Sequence, residues 1–227
     1  MNETAASHPV RSSVFVVDDH PLVRESLVAL IGRQPDLIVR GQAEDSASAF
    51  AALLREPVDV VVVDLSLPGE SGLELIKRLQ ALSPPPSILV LSMHDEAFYA
   101  ERALRAGAMG YVMKQETTDK VITAIREIIL GRPYVSSDIA RQFTSKYVGI
   151  RPSQKTSGIN LLSDRELEVF RLIGLGLESR RIAHDLHLSV KTVQAHGANI
   201  KHKLGLANST ELIREAVRWA ERDKPPR

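Results

Sequence analysis

The sequence predicts a doubly wound α/β domain of the (βα)5 type, followed by an all-α domain of four helices that contains a helix-turn-helix. In the first half, short runs of Val, Ile and Leu alternate with helix-period segments, a pattern typical of βαβ units and a parallel sheet. In the second half, four helix-period segments carry clear start signals. We expect the first domain over residues 12–131, a linker with a possible short helix over 132–158, and the second domain over 159–223.

Polar residues follow the apolar strand runs of the first domain, at the point where each run ends. The runs are residues 14–17, 60–63, 88–91 and 110–113, and the residues that follow them are Asp18 with Asp19, Asp64, Ser92 and Lys114. In open parallel sheets, functional groups gather at the carboxyl ends of the strands. We therefore expect these side chains to converge on one small patch.

The predicted patch has the chemistry of a phosphoryl-transfer site. Three close carboxylates repel one another, and a hard divalent cation such as Mg²⁺ supplies the missing positive charge. A lysine and a serine hydroxyl add groups that stabilise phosphoryl oxygens, and one carboxylate can accept the phosphoryl group. The residues also allow simpler interpretations: a solvated turn at Asp18 and Asp19, a helix N-cap at Asp64 or Ser92, and a surface role for Lys114.

At these residues the chain resembles the receiver domain of two-component response regulators. The resemblance rests on Val-Asp-Asp-His at 17–20, Asp-Leu-Ser-Leu-Pro-Gly at 64–69, Leu-Ser-Met at 91–93 and Gly-Tyr-Val-Met-Lys at 110–114. It implies that Asp64 is the phosphoacceptor, and that Asp18, Asp19, Asp64 and the Ser66 backbone carbonyl bind Mg²⁺. It also implies that Ser92 and Lys114 sense the phosphoryl group and that Tyr111 turns inward with Ser92, although packing alone also explains an aromatic residue there.

Composition is consistent with an intracellular, cytoplasmic protein of two domains. The 227 residues include no cysteine, which excludes disulfides and zinc–thiolate sites. The apolar runs are much shorter than a membrane span, and residues 1–9 lack the features of a secretory signal, so we expect a short disordered lead-in and no membrane partner. Lys and Arg against Asp and Glu give −6 for residues 1–131, +4 for 132–158 and +3 for 159–227. Only the second half is therefore expected to meet a polyanion.

The linker divides into a possible helix and a flexible segment. Residues 136–147 place Ile139, Phe143 and Tyr147 at i, i+4 and i+8, which predicts a short helix that packs against one of the two domains. Residues 149–158 are rich in turn formers and basic residues and predict a flexible connection.

Capping signals predict four helices in the second domain. Ser163 and Glu166 form a capping box, Ser179 and Ser189 are predicted N-caps, and Gly205 is placed to end the third helix. The fourth helix is expected to begin near Asn208 or Ser209 and to end near residue 222. In a helix-turn-helix, the second helix of the pair enters the DNA major groove.

The third helix of this domain is predicted to read DNA. Its buried seam would be Val193, Gly197, Ile200 and Leu204, which leaves polar and small residues on the opposite face. Gln and Asn pair with adenine, and Lys reaches guanine or phosphate. A plain helical bundle would present a similar face. The candidate DNA contacts are Lys191, Thr192, Gln194, Ala195, Ala198, Asn199 and Lys201.

Residues 160–220 are similar to the DNA-binding domain of the LuxR/NarL type. The matching motifs are Leu-Ser-Asp-Arg-Glu at 162–166, Ile-Ala at 182–183, Thr-Val-Gln-Ala-His at 192–196 and Ile-Lys-His-Lys-Leu at 200–204. The resemblance implies a dimer contact on the last helix, with Leu212, Ala216 and Trp219 as candidates, although packing within the domain explains them equally. Gln194 departs from the family, which often has a basic residue there. Gly197 is a second departure, for which close helix packing or close approach to DNA are the two explanations.

Together these features predict a phosphorylation switch and not an enzyme. A sensor histidine kinase would phosphorylate Asp64, and the altered receiver would release the recognition helix or promote a homodimer on double-stranded DNA. One alternative is a DNA-binding regulator that works independently of phosphorylation. Another is a phosphoryl-transfer hydrolase, which lacks support because no second aspartate lies two positions after Asp64.

Overall fold

The computed structural model describes residues 11–147 and 158–222. The predicted lead-in, residues 1–9, and the predicted flexible segment 149–158 apart from Gly158 lie outside the described residues. Within the described ranges, each helix is too short or too polar to cross a lipid bilayer.

The first domain is a five-stranded parallel sheet with helices on both faces, which confirms the predicted fold class. Its strands are β1 (Ser12–Val17), β2 (Leu37–Ala43), β3 (Val60–Val63), β4 (Ser87–Ser92) and β5 (Gly110–Met113). Its helices are α1 (Pro21–Gly32), α2 (Ser46–Arg55), α3 (Gly72–Gln80), α4 (Glu96–Ala106) and α5 (Thr118–Ile129). The strand order is β2-β1-β3-β4-β5, so the order reverses between β1 and β3. Ligand sites of such sheets lie at this reversal, outside the carboxyl ends of the strands.

Burial explains why the central strands read as continuous apolar runs. Val60 to Val63 are all at most 1% exposed, because helices cover both faces of β3. Leu37–Ala43 has a mixed pattern instead, with buried residues only at its two ends, because it is the edge strand β2. That pattern did not identify it as a strand in the sequence.

A short helix connects the two domains. Helix α6 (Ser137–Tyr147) matches the prediction for residues 136–147, and Ile139 on it is 3% exposed. Before it, Tyr134 pairs with the edge of β5, where its carbonyl accepts a hydrogen bond from the Tyr111 amide at 2.9 Å. The helix packs against α4, and Ser136 Oγ donates to Glu96 Oε1 at 2.6 Å. The predicted stripe therefore faces the first domain at Ile139; the side chain of Tyr147 lies outside the described residues.

The second domain consists of a 3-10 helix (Gly158–Leu161) and four α-helices, α7 (Asp164–Gly174), α8 (Ser179–Asp185), α9 (Val190–Leu204) and α10 (Ser209–Arg222). Both hydrogen bonds of the Ser163–Glu166 capping box are present. Gly205 ends α9 in the left-handed conformation with φ 67°. The prediction that Ser179 is an N-cap is wrong: Glu178 holds that position and Ser179 is the first residue of α8.

Candidate functional site

Three carboxylates meet at the carboxyl ends of β1 and β3. Val17 lies beside Val63 in the parallel register, so the residues that follow them emerge together. Asp18 and Asp64 are 1% and 2% exposed. One ligand atom from each of Asp18, Asp19, His20 and Asp64 lies within 4.8 Å of the others. The carboxylates that the sequence predicted to converge therefore do converge, and His20 joins them.

The turn after β3 fixes the backbone of Asp64. The Gly72 amide donates to the Leu65 carbonyl at 3.0 Å, and a Cβ at Gly72 would lie 2.2 Å from the Asp64 carbonyl oxygen. Only glycine allows this close approach. Ser71 rather than Asp64 holds the N-cap position of α3, and Asp95 rather than Ser92 caps α4. The N-cap interpretations of Asp64 and Ser92 are therefore wrong.

Lys114 joins the site from the end of β5. Its Nζ lies 2.7 Å from both Asp18 Oδ2 and Asp64 Oδ2, and its side chain is 6% exposed. Burial by itself would lower the pKa of Lys114, but the charges and hydrogen bonds of Asp64 and Asp18 outweigh burial and leave the pKa raised. Lys114 is therefore a fixed cation and not a surface lysine.

The carboxylates of the cluster are not fully neutralised by the positive groups beside them. Burial raises the pKa of Asp19, and the charges of Asp64 and Asp18 raise it further, whereas contact with His20 lowers it. His20 Nδ1 lies 2.5 Å from Asp19 Oδ1, but the His20 side chain is 63% exposed. An exposed histidine screens the carboxylates poorly, so the site favours an added cation.

The Asp64 carboxylate offers an oxygen to such a cation. Asp64 Oδ1 is buried and has no hydrogen-bond partner within the part of the chain that the structure describes. The surrounding oxygens belong to carboxylates, which are the ligands that hard divalent cations such as Mg²⁺ prefer. The donor set therefore fits Mg²⁺.

The remaining predicted switch residues lie beside this cluster. Ser92 is fully buried at the end of β4, and its Oγ accepts a hydrogen bond from the His94 amide at 3.2 Å. Tyr111 already lies inward, 2% exposed, with its hydroxyl donating to the His94 carbonyl at 2.8 Å. A rotamer change of Tyr111 stays a prediction. The Ser66 side chain approaches His94, with Oγ 2.8 Å from Nε2.

Helix α9 presents most of its predicted contact residues to solvent. Ser189 caps it by accepting a hydrogen bond from the Thr192 amide at 3.0 Å. Val193 and Ile200 are 2% and 0% exposed and hold the helix to the domain. The exposed candidates are Lys191, Gln194, Ala195, Ala198 and Asn199, while Thr192 and Lys201 are half-buried. Of the predicted seam, Val193 and Ile200 are buried, whereas Gly197 and Leu204 are half-buried.

Each half of the chain matches a known protein family. Residues 14–126 match the model of the response regulator receiver domain, and residues 160–216 match that of the bacterial regulatory proteins of the luxR family. The Fimbriae Z protein of Salmonella typhimurium is 38% identical over 203 residues, which cover 89% of this chain and 94% of that protein. The oxygen regulatory protein NreC of Staphylococcus epidermidis is 33% identical, covering 90% and 96%. The chain belongs to the LuxR family of two-component response regulators.

Solved structures of this family match part or nearly all of this chain. A LuxR-family response regulator from Aurantimonas sp. is 36% identical with a TM-score of 0.56, covering 61% of this chain and 99% of that one. RcsB from Salmonella enterica serovar Typhimurium, bound to promoter P1flhDC in the presence of the phosphomimetic BeF3−, is 26% identical with a TM-score of 0.67, covering 92% and 99%. The family consists of regulatory proteins that bind DNA and is not a class of enzymes.

In this response regulator the receiver docks on the DNA-binding domain and leaves the candidate DNA contacts Lys191, Gln194, Ala195, Ala198 and Asn199 of α9 exposed. The receiver contacts the start of α7, where Asp164 pairs with Lys77 and Arg102, and the end of α10 at Trp219. His187, in the turn between α8 and α9, lies against Gly69 of the receiver: a Cβ at Gly69 would approach its ring to 2.7 Å. The exposed contact candidates of α9 stay accessible in this arrangement.

The dimer candidates on α10 lie inside the chain. Leu212, Ala216 and Trp219 are 5%, 0% and 4% exposed. The opposite face of α10 exposes Ile213 and Val217, at 52% and 37%. A dimer contact through the three buried residues would require rearrangement, so their dimer role stays a prediction and their packing role is the observed one.

Two residues of the receiver site, His20 and His94, were not predicted from the sequence. His20 directly follows the paired aspartates, and its position next to them was the available signal. His94 lies two residues after Ser92, and no spacing rule connects it with Ser66, Tyr99 or Tyr111, because those contacts join separate elements.

Proposed function

We propose that a sensor histidine kinase phosphorylates Asp64 and that this modification controls sequence-specific binding of double-stranded DNA by α9. The observation that carries the proposal is the Asp64 carboxylate itself, with Oδ2 bound to Lys114 at 2.7 Å and Oδ1 open. RcsB, a relative solved on promoter DNA with a phosphomimetic, supports both halves of the proposal.

The transfer needs a positioned nucleophile and neutralised charge. An Asp64 oxygen forms a bond to phosphorus while the phosphorus–nitrogen bond of the kinase phosphohistidine breaks, and the leaving nitrogen keeps the electron pair. The product adds roughly −1.5 to −2 charges beside Lys114 and Ser92. Lys114 offers a cation to the phosphoryl oxygens, and Ser92 offers a hydroxyl hydrogen. Asp18, Asp19, Asp64 and the Ser66 carbonyl would hold Mg²⁺, which supplies positive charge against the phosphoryl oxygens when bound.

The DNA-reading face of α9 favours particular bases. Gln194 and Asn199 offer amide groups that pair with adenine, and the methyl groups of Ala195 and Ala198 fit the methyl of thymine. Lys191 reaches guanine or phosphate. Contacts from Thr192 and Lys201 complete the proposed set. We therefore propose half-sites rich in A·T pairs.

The switch acts on the placement of the DNA-binding domains. Because the reading face of α9 is exposed with the domains docked, uncovering that face is not the step that needs phosphorylation. Two copies bound to half-sites must hold their recognition helices about one DNA turn, or a multiple of it, apart. A homodimer that forms on phosphorylation meets this geometric need.

The first experiment measures mass in solution together with covalent phosphate. The full chain is incubated with Mg²⁺ and a small-molecule phosphodonor, and with Mg²⁺ and beryllofluoride. We expect phosphate on Asp64 by peptide mass spectrometry and a shift from monomer to dimer by light scattering. Asp64→Asn removes both effects, and Asp36→Asn, an exposed receiver aspartate paired with Arg126, keeps both. Absence of phosphate on Asp64 would leave a DNA-binding regulator that works independently of phosphorylation.

The second experiment tests base reading. Selection from random duplexes gives the operator of the wild type and of Gln194→Arg. We expect the variant to prefer guanine at one position of each half-site and to keep the other positions, because arginine pairs bidentately with guanine. Gln42→Arg adds the same charge on the exposed face of β2 and should leave the operator unchanged. An unchanged operator for Gln194→Arg would remove Gln194 from the reading set.

A further inference from the structure

The docked domains are joined by an ionic contact centred on one carboxylate. Asp164, the first residue of α7, has Oδ2 at 2.9 Å from Lys77 Nζ and Oδ1 at 2.9 Å from Arg102 Nη1. Arg102 also donates from Nη2 to the Ile159 carbonyl at 3.0 Å. Two receiver helices, α3 and α4, are therefore tied to the same end of the DNA-binding domain.

An aromatic contact lies beside this ion pair. The ring of Trp219 on α10 lies 5.6 Å from Phe98 and 6.5 Å from Tyr99, both on α4 of the receiver, and 5.7 Å from Phe170 of its own domain. Its indole Nε1 is buried without a hydrogen-bond partner among the described residues. A buried donor without a partner is unfavourable, and separation of the domains would return it to water. The docked state is thus poised to open.

His94 touches both the phosphoacceptor site and this aromatic contact. Its amide donates to Ser92 Oγ at 3.2 Å, and its carbonyl accepts from the Tyr111 hydroxyl at 2.8 Å. Its Nε2 lies 2.8 Å from Ser66 Oγ. On the other side, its ring stacks on Tyr99 with the centroids 4.5 Å apart and 23° between the planes. Backbone and side chain of this residue therefore link the two proposed switch residues and the loop after Asp64 to helix α4.

We infer that His94 is the positioning residue through which the state of Asp64 controls docking of the DNA-binding domain, acting on Tyr99 and, through it, on Trp219. The inference rests on the proposed phosphorylation of Asp64. When Ser92 and the loop at Ser66 move toward the phosphoryl group, they carry His94 with them. The ring then withdraws its support from Tyr99, the contact with Trp219 loosens, and the domains separate.

Docking of the two domains and binding of a phosphoryl group are thermodynamically linked. If phosphorylation favours the undocked state, weaker docking must favour the phosphoryl-bound state by the same factor. Asp164→Asn, which keeps the shape of the side chain and removes its charge, should therefore tighten the binding of beryllofluoride. The expected change is about five-fold or more, from the lower end of the range of ordinary coupling energies.

Trp219 reports docking without a label, because it is the one tryptophan of the sequence. Acrylamide quenching of its fluorescence is measured on the full chain with Mg²⁺, with and without beryllofluoride. In the wild type we expect the quenching constant to rise about two-fold as the population shifts to the undocked state. Asp164→Asn should raise it before any beryllofluoride is added, and Asp185→Asn, in an ion pair within the DNA-binding domain, should not.

Two variants test the relay itself. His94→Phe keeps a ring to stack on Tyr99 but loses the bond to Ser66, and Ser66→Ala removes the same bond from the other side. Both should keep the protection of Trp219 without beryllofluoride and lose at least about half of the rise with it, and the double variant should lose no more than either, because the two changes break one interaction. Ser26→Ala, which removes a hydroxyl bonded within α1, should respond as the wild type does.

The outcomes separate this inference from the proposed function. Phosphorylation of Asp64, measured by mass in the same samples, combined with an unchanged Trp219 signal in the wild type would overturn the inference alone. A full response in both His94→Phe and Ser66→Ala would also overturn it. Absence of phosphate on Asp64 and of beryllofluoride binding would overturn the proposed function, and the inference with it.

Discussion

Replacement of Asp19 by asparagine should stabilise the receiver without Mg²⁺ and abolish its stabilisation by Mg²⁺. The ligand atoms of Asp18, Asp19 and Asp64 lie within 4.8 Å of one another, and Lys114 supplies the buried positive charge. At 4.8 Å, Coulomb's law gives a repulsion of about 3.5 kcal/mol per pair at an effective dielectric constant of about 20, and about 0.9 kcal/mol in bulk water.

The expected effect lies near the lower value. The Asp19 side chain is 33% exposed, so solvent screens its charge, and the substitution also loses the attraction of His20. We therefore expect a stabilisation of about 1 kcal/mol, which corresponds to an increase of a few degrees in the Tm of a domain of this size. The raised pKa of Asp19 has the same sign, because it shows that the charged form is disfavoured in the folded state.

The assay is thermal unfolding of the full chain followed by circular dichroism, in EDTA and in saturating MgCl2. The wild type should gain stability with Mg²⁺, since a ligand that binds the folded state raises its apparent stability. Asp19→Asn should start higher and gain nothing. Asp36→Asn, which breaks an exposed ion pair of the receiver with Arg126, should start no higher than the wild type and should gain as the wild type does. A lower Tm for Asp19→Asn in EDTA, or an undiminished Mg²⁺ effect, would refute the electrostatic reasoning.

Three further substitutions follow from the same geometry. Lys114→Met leaves two buried carboxylates without their cation and should cost roughly 3–5 kcal/mol in urea unfolding, with Mg²⁺ restoring much of the loss; equal loss with and without Mg²⁺ would contradict this. Gly197→Ala should stabilise the DNA-binding domain by up to about 1 kcal/mol in urea unfolding followed by tryptophan fluorescence, because the new Cβ would lie an ordinary 3.8 Å from a leucine side chain; a lower stability would show that packing requires the glycine. Glu166→Gln should cost about 1–2 kcal/mol near pH 7, because it weakens the 2.6 Å contact with Lys203 Nζ. Burial opposes the charge of Glu166, but bonds from Lys203 and the Ser163 amide lower its pKa below the ordinary value of 4.5. The stability that this carboxylate contributes is therefore present above pH 4.5 and is lost as the pH falls through the lower folded pKa. A stability difference between variant and wild type that persists in acid would contradict the assignment.

The glycine prediction bears on a choice that the sequence left open. Close helix packing was one explanation for Gly197, and the structure does not support it, since Leu212 leaves room for a methyl group. The glycine instead lies beside a groove between α9 and α10 that is lined by Val193, Gln194 and Ile213, among others. The operator affinity of Gly197→Ala will test the other explanation, close approach to DNA.

The sequence alone determined the fold class and the members of the acidic cluster. Strands β1, β3, β4 and β5 were recognisable because both of their faces are buried, so their residues are apolar without interruption and the polar residue after each one stands out. The ends of α7 and α9 were equally legible, because capping is a local interaction between residues three positions apart. The two wrong or missing predictions are also local: the mixed burial of the edge strand β2 hid it, and the N-cap of α8 is Glu178, one residue before the predicted Ser179.

Only the tertiary structure decided how these parts are connected. Three features depend on contacts between elements far apart in the chain. Lys114 pairs with both Asp18 and Asp64, the Tyr111 hydroxyl donates to the His94 carbonyl, and Trp219 packs on the receiver. A sequence pattern indicates whether a side chain is buried, because buried positions recur at the period of the helix or strand. It does not report which element covers that side chain, because the identity of the neighbour is set by the packing of the whole chain.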